Sequence, residues 1–145
     1  MAISYYSQGE GVKVPNFRRR KVNNWLRTVA GDYGMEVIDV AYQFCDNETI
    51  LDFNRKYLDH DYYTDIITFG QPQGDLIIAD IVISVDQVRI NAEDYETDFH
   101  TEVMRVMIHG ILHLCGLDDG TPEEEAAMRA AEDRALAKLP DDLWM

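Results

Sequence analysis

The stretch MRVMIHGILHLCGLDDG, Met104 to Gly120, sets two histidines four residues apart in an apolar run and follows them with a glycine and two aspartates. On a helix turning about 100° per residue, positions 109 and 113 lie roughly 40° apart around the axis and about 6 Å apart along it. Both imidazoles can therefore reach one ion. Gly116 suits a helix C-cap because glycine takes the left-handed conformation cheaply, and beyond it the chain turns back towards the histidines with Asp118 and Asp119. One of these carboxylates would complete a three-ligand set with positions left open for water and substrate, the arrangement of a catalytic metal.

A histidine pair alone also fits an ordinary packing role. Here the context argues otherwise, because Val103, Met104, Val106, Met107, Ile108, Ile111, Leu112 and Leu114 make the surrounding helix strongly apolar. Imidazoles drawn into such a helix need partners for their ring nitrogens, and a metal supplies one to each. Gly110 stands where a zinc protease carries its glutamate after the first histidine, so peptide hydrolysis by that mechanism loses its base. Cys115 on a continued helix points about 200° from His113 and is read as packing.

Outward from this helix, expected over Phe99–Leu114, the chain alternates strand and helix patterns irregularly. Residues Ile3–Ser7 suit a short strand, and Phe17, Val22, Trp25, Leu26 and Val29 recur at helical spacing between Pro15 and Asp32, with Gly34 ending the helix. Met35–Asp46 reads as a strand, Asn47 as the N-cap of a helix over 48–58, and Asp59–Asp65 as a polar, aromatic loop. Ile66–Phe69 is a short strand and Gly70–Gly74 a turn. DLIIADIVISV, Asp75–Val85, is too apolar for a half-exposed strand and belongs at the centre of the sheet, which obliges Asp80 to find a partner or a task. Residues 86–94 read as helix. Thr121, Pro122 and Glu124 supply a cap, a first-turn proline and a capping-box acid for a last helix running to about Lys138, packed through Met128, Leu136 and Leu139. The class is α+β, a small mixed sheet of about four strands with helices packed on it and the candidate metal site on a central helix and the following turn.

A chain of 145 residues that is 46% hydrophobic and 10% aromatic suits one domain over residues 1–145 with a real core. No apolar run approaches the roughly 20 residues needed to cross a bilayer, and the first residues lack the basic start and apolar stretch of a secretory signal, so a cytoplasmic location is expected. Cys45 and Cys115, far apart in sequence, fit that setting as reduced thiols. With 27 acidic and 13 basic residues the net charge is −14, which does not advertise a nucleic-acid binder. Position matters more than the sum, because many acids gather near the C-terminal end (Glu123–Glu125, Glu132, Asp133, Asp141, Asp142) while Arg18–Lys21 form a basic cluster. Most of that cluster reads as a solvated helix face.

HGILHLCGLDD, His109–Asp119, resembles the H-G-x-L-H-L-x-G-x-D-H signature of the YbeY family of bacterial endoribonucleases and ribosomal-RNA maturation factors. FNRKYLDHDYYTDIITF (Phe53–Phe69) is similar to the family's second motif, and ADIVIS (Ala79–Ser84) to its G-D-I-x-I-S segment, with order and spacing kept from about residue 47 to 138. The resemblance implies a metal-dependent hydrolase carrying one zinc ion that cuts single-stranded RNA in 16S rRNA maturation and ribosome quality control, with rRNA and the ribosome or small-subunit factors as partners.

By position, His109 and His113 are the first two ligands, and Asp119 falls where the family pattern has a third histidine. Two imidazoles and a carboxylate suit zinc, and iron or manganese better than three imidazoles would. Leu58 stands at the family's arginine, leaving Arg55 or Lys56 as the substrate-binding candidates, while Tyr63 and Ala79 replace a proline and a glycine. Asp118 is a candidate to orient a ligand histidine or to cap the turn. The expected mechanism is metal-assisted phosphodiester cleavage through His109, His113 and Asp119. The alternatives are a ribosome-associated binding factor with a structural metal and little nuclease activity, and a metal-dependent hydrolase of small substrates.

Overall fold

The computed structural model describes residues 2–59 and 64–145. Four strands, β1 (Ala2–Ser7), β2 (Glu36–Cys45), β3 (Ile66–Phe69) and β4 (Leu76–Ser84), form one sheet in the order β1-β2-β4-β3. β1, β2 and β4 run parallel, and the short β3 runs antiparallel to β4 along the far edge. Five helices surround it, α1 (Arg19–Asp32), α2 (Asn47–Tyr57), α3 (Val85–Asp94), α4 (Phe99–Leu114) and α5 (Pro122–Leu136). This is the expected α+β class with a mixed sheet.

The two faces of the sheet differ. Ile3 and Tyr5 of β1, Val40, Tyr42 and Phe44 of β2, and Ile77, Ile81 and Ile83 of β4 alternate onto the face that packs against α1 and α4, where the main core lies. Among the described residues the opposite face is covered only at one end, where Ile50 and Phe53 of α2 sit over Cys45, Ile67, Val82 and Phe69. The remainder is open, so Ile78 and Asp80 are exposed. The reading of Asp75–Val85 as covered on both faces therefore holds for only half its length, and Asp80 needs no partner because water solvates it.

Helix α4 passes close over β4. A Cβ on Gly110 would lie 3.0 Å from Ile81 Cδ1 and 3.1 Å from Ile66 Cδ1, so the missing side chain lets helix and sheet approach. Across this contact the buried Tyr42 hydroxyl donates to the Met107 carbonyl at 3.0 Å. α1 is tied to α5 by the Trp25 indole, whose Nε1 donates to the Ala135 carbonyl at 2.8 Å. Both cysteines are free thiols; burial pushes Cys45 up to about 12 and Cys115 to about 11, which leaves them inert packing groups.

Three local expectations need correction. α1 begins at Arg19 rather than near Pro15, because Phe17 is fully buried and forms an isolated bridge with Trp144. The N-cap of α2 is Asp46, whose carboxylate accepts from the Thr49 amide at 2.8 Å. Asn47 is already helical and its side-chain oxygen instead accepts from the Ser84 hydroxyl. Arg18 and Lys21 of the basic cluster donate to the Asp142 and Asp141 carbonyls, and Arg19 lies over the Tyr5 ring, so this cluster clamps the C-terminal segment and the core edge. Of the expected loop over Asp59–Asp65, residues 60–63, Tyr63 among them, lie outside the described residues.

Asp98 caps α4 through the Thr101 amide at 2.7 Å, and that bond holds its carboxyl below the usual range. A carboxylate with a lowered folded-state pKa stabilises above its unfolded value and loses that contribution as pH falls through the folded one. Asp98→Ala should cost about 1 kcal/mol in urea unfolding at neutral pH, and the gap to the parent protein should close in acid. Gly116 terminates α4 at φ +105°, where an L side chain is strained, so Gly116→Ala should lower stability by about 1–2 kcal/mol.

Candidate metal centre

α4 is buried on most of its circumference, and its remaining stripe carries Arg105, His109 and His113. Their spacing of four residues stacks them one turn apart along this stripe, as the sequence required. Burial falls along it: the His109 side chain is 24% exposed and that of His113 is 49% exposed. The helix closes with the Gly116 amide donating to the His113 carbonyl at 3.0 Å and the Leu117 amide to the Leu112 carbonyl at 3.1 Å. This pair of bonds reverses the chain. The reversal brings Asp119 Oδ2 to 3.4 Å from His109 Nε2, and Asp118 Oδ1 to 4.0 Å from His113 Nδ1.

The other nitrogen of His109 is also engaged. Nδ1 lies 2.8 Å from Oε2 of Glu132, a buried residue of α5. A neutral imidazole has one N–H, so it can satisfy one of two flanking carboxylates and leaves a lone pair facing the other. A cation at Nε2, either a second proton or a metal ion, would answer the charge of Asp119 there. Burial works against protonation of His109, but the Glu132 bond and charge, with Asp119 and Asp65, outweigh it and raise its pKa. The same charges would favour a metal. Two ligands each about 2.0–2.1 Å from a tetrahedral ion stand about 3.3 Å apart, close to the 3.4 Å between Nε2 and Asp119. The donor set, two imidazoles with a carboxylate, is of a kind that zinc and neighbouring divalent metals accept.

His109, His113 and Asp119 line one cleft of about 450 Å³, with Asn54, Leu58, Thr64 and the β3 residues Ile66, Ile67 and Thr68 along the rest of its wall. Among the described residues the three do not form a ready-made ligand set at coordinating distance. His113 is exposed enough to change rotamer without disturbing the core. Leu58, where the motif suggested an arginine, does face this cleft. Arg55 and Lys56 are exposed on α2 and do not line it; the Lys56 ammonium lies over the Tyr57 ring. Behind His109 a second cavity of about 570 Å³ is bordered by Asp65, Glu102, Arg105, Arg129 and Glu132.

Sequence reasoning missed Glu132 and Arg105. A signal was present, since Glu132 falls in register with Met128, Ala131 and Ala135 on the packing face of α5, where an unpaired carboxylate is costly. Only the fold shows that its partners are on α4.

A family model described as Endoribonuclease YbeY matches residues 5–140. A Parabacteroides distasonis protein named Endoribonuclease YbeY is 49% identical over 98% of this chain and 99% of its own length. A Phocaeicola vulgatus protein of the same name is 52% identical over 94% of this chain and 98% of its own. The solution structure of TM1509 from Thermotoga maritima superposes with a TM-score of 0.66 at 21% identity, covering 95% of this chain and 89% of the other, and so shares the fold. By the extent of these matches, the chain belongs to the YbeY family.

Proposed function

We propose that this protein is a single-strand-specific endoribonuclease whose activity depends on a metal ion, zinc in the first instance, held by His109, His113 and Asp119, and that it acts on 16S rRNA in maturation and quality control at the ribosome. The observation that carries the metal reading is His109 set between two carboxylates, 2.8 Å from Glu132 and 3.4 Å from Asp119. The nuclease reading rests on the full-length relatives named Endoribonuclease YbeY. No helix of the described residues is long and apolar enough to cross a membrane, which fits action on ribosomal RNA in the cytoplasm.

A metal ion held by His109, His113 and Asp119 would supply Lewis acidity toward a phosphodiester and toward water near neutral pH. The chain's own residues do the rest. Glu132 holds the His109 ring with Nε2 turned to the cleft. Asp119 supplies negative charge on the cleft side. Leu58 and Ile66 give the cleft wall apolar surface, while the Thr64 and Thr68 hydroxyls offer hydrogen bonds to a strand lying along it. With Leu58 in place of a guanidinium, phosphate binding falls to weaker contacts, for which Arg55 and Lys56 at the end of α2 are the nearest candidates in sequence. That change also favours a second reading, a ribosome-bound factor in which the metal staples the turn after α4 and cleavage is slight.

The decisive experiment is RNA cleavage by protein of known metal content. Chelation should abolish cleavage and added zinc restore it, while His113→Ala should lose both bound metal and activity. Cleavage retained by metal-free His113→Ala overturns the proposal, and a metal-loaded, folded protein that binds ribosomal subunits without cutting RNA supports the binding factor. Leu58→Arg should tighten single-stranded RNA binding and steepen its salt dependence by about 0.7 in log K against log salt for one added phosphate contact. An unchanged slope contradicts a strand passing Leu58.

A further inference from the structure

We propose that Glu132, clamped by Arg105, is a positioning residue for this centre: it fixes His109 as the Nδ1–H tautomer and leaves Nε2 bare on the cleft side. The inference rests on the reading of His109 as a ligand, and it assigns a task to two residues that no motif includes. The Glu132 carboxylate is divided between two partners. Its Oε2 is 2.8 Å from His109 Nδ1, and its Oε1 accepts from Arg105 Nη1 at 3.1 Å. Arg105 and His109 are one turn apart on α4, so a single carboxylate from α5 reaches both. The guanidinium is itself held, with Nη2 donating to Asp133 Oδ1 at 2.8 Å and Nε 4.0 Å from Glu102 Oε1.

The division has a chemical consequence. The side chain of Glu132 is only 7% exposed, so its charge must be matched from within the protein. Arg105 matches the charge and fixes the plane of the carboxylate. The oxygen left over can only accept, which places the proton of a neutral His109 on Nδ1. A carboxylate on the outer nitrogen of a ligand histidine orients the ring and raises its basicity, and its loss typically weakens metal affinity 10- to 100-fold. Asp118, the sequence candidate for that task, lies 4.0 Å from the other histidine and is 67% exposed, so it cannot hold a ring in the same way. A salt bridge that merely docks α5 on α4 would leave both the tautomer and the metal affinity indifferent to the Glu132 charge.

The test has two readouts on the full chain. Nitrogen-15 NMR of the metal-free protein, above the pH at which the His109 ring loses its second proton, should show the Nδ1–H tautomer; an Nε2–H tautomer overturns the proposal. Zinc affinity, measured by competition with a chromophoric chelator, should weaken 10- to 100-fold in Glu132→Gln and remain unchanged in Asp32→Asn, whose carboxylate pairs with Lys138 rather than with Arg105 or His109. Unchanged affinity in a folded Glu132→Gln protein also overturns it. If Glu132→Gln fails to fold, Arg105→Gln replaces it with the same expectation of weakened affinity, and unchanged affinity there counts against the clamp. A parent protein that shows the Nδ1–H tautomer but binds no zinc upholds the positioning and refutes the metal reading alone.

Discussion

An imidazole with a carboxylate against each nitrogen is the constraint on which the centre depends. Glu132 and Asp119 come from opposite sides of His109, one from the helix that follows and one from the turn between. A single ring proton cannot satisfy both, so a positive charge is favoured on the cleft side. Burial works against protonation of His109, but the Glu132 bond and charge, with Asp119 and Asp65, raise its pKa in spite of it. Under the proposed reading a divalent cation would meet that demand better, since it would bring more charge to the same place and add a bond to His113. Proton and metal would then compete for one position.

The fold exists to bring these groups together from separate elements. α4 must lie close to the sheet for its apolar circumference to be buried, and the missing side chain at Gly110 permits that approach over Ile81 and Ile66. The stripe left uncovered is the one that carries Arg105, His109 and His113. Gly116 then turns the chain so that Asp119 returns to the first histidine, and the Thr121 cap starts α5 on the course that lays Glu132 against α4. β3, the edge strand, supplies the opposite wall of the cleft together with the end of α2. The acidic balance of the chain sits partly in this construction: Glu102, Glu132 and Asp133 serve Arg105 and His109.

Much of this was legible in the sequence because it is governed by local rules. The limits of α4 and β3 follow from periodicity and capping, and the turn at Gly116 with its two aspartates follows from glycine's access to positive φ. The departures arise where a distant segment overrides local pattern. Phe17 has the spacing of a helical residue, yet pairing with Trp144 near the C-terminus takes it out of the helix. Asp80 sits in an apolar run, yet α2 covers only one end of that face of the sheet. Glu132 was invisible as a partner of His109 for the same reason, since 23 residues and a chain reversal separate them. Leu58 lines the cleft, and only the fold shows that Arg55 and Lys56 do not line the same wall.

X-ray absorption at the metal edge, on protein purified without chelator, addresses the central claim most directly. We expect a light-atom shell at about 2.0–2.1 Å with the multiple scattering of two imidazoles and a carboxylate oxygen. A spectrum without imidazole scattering, or one with a sulfur shell at about 2.3 Å from Cys115, would contradict a centre built on His109, His113 and Asp119.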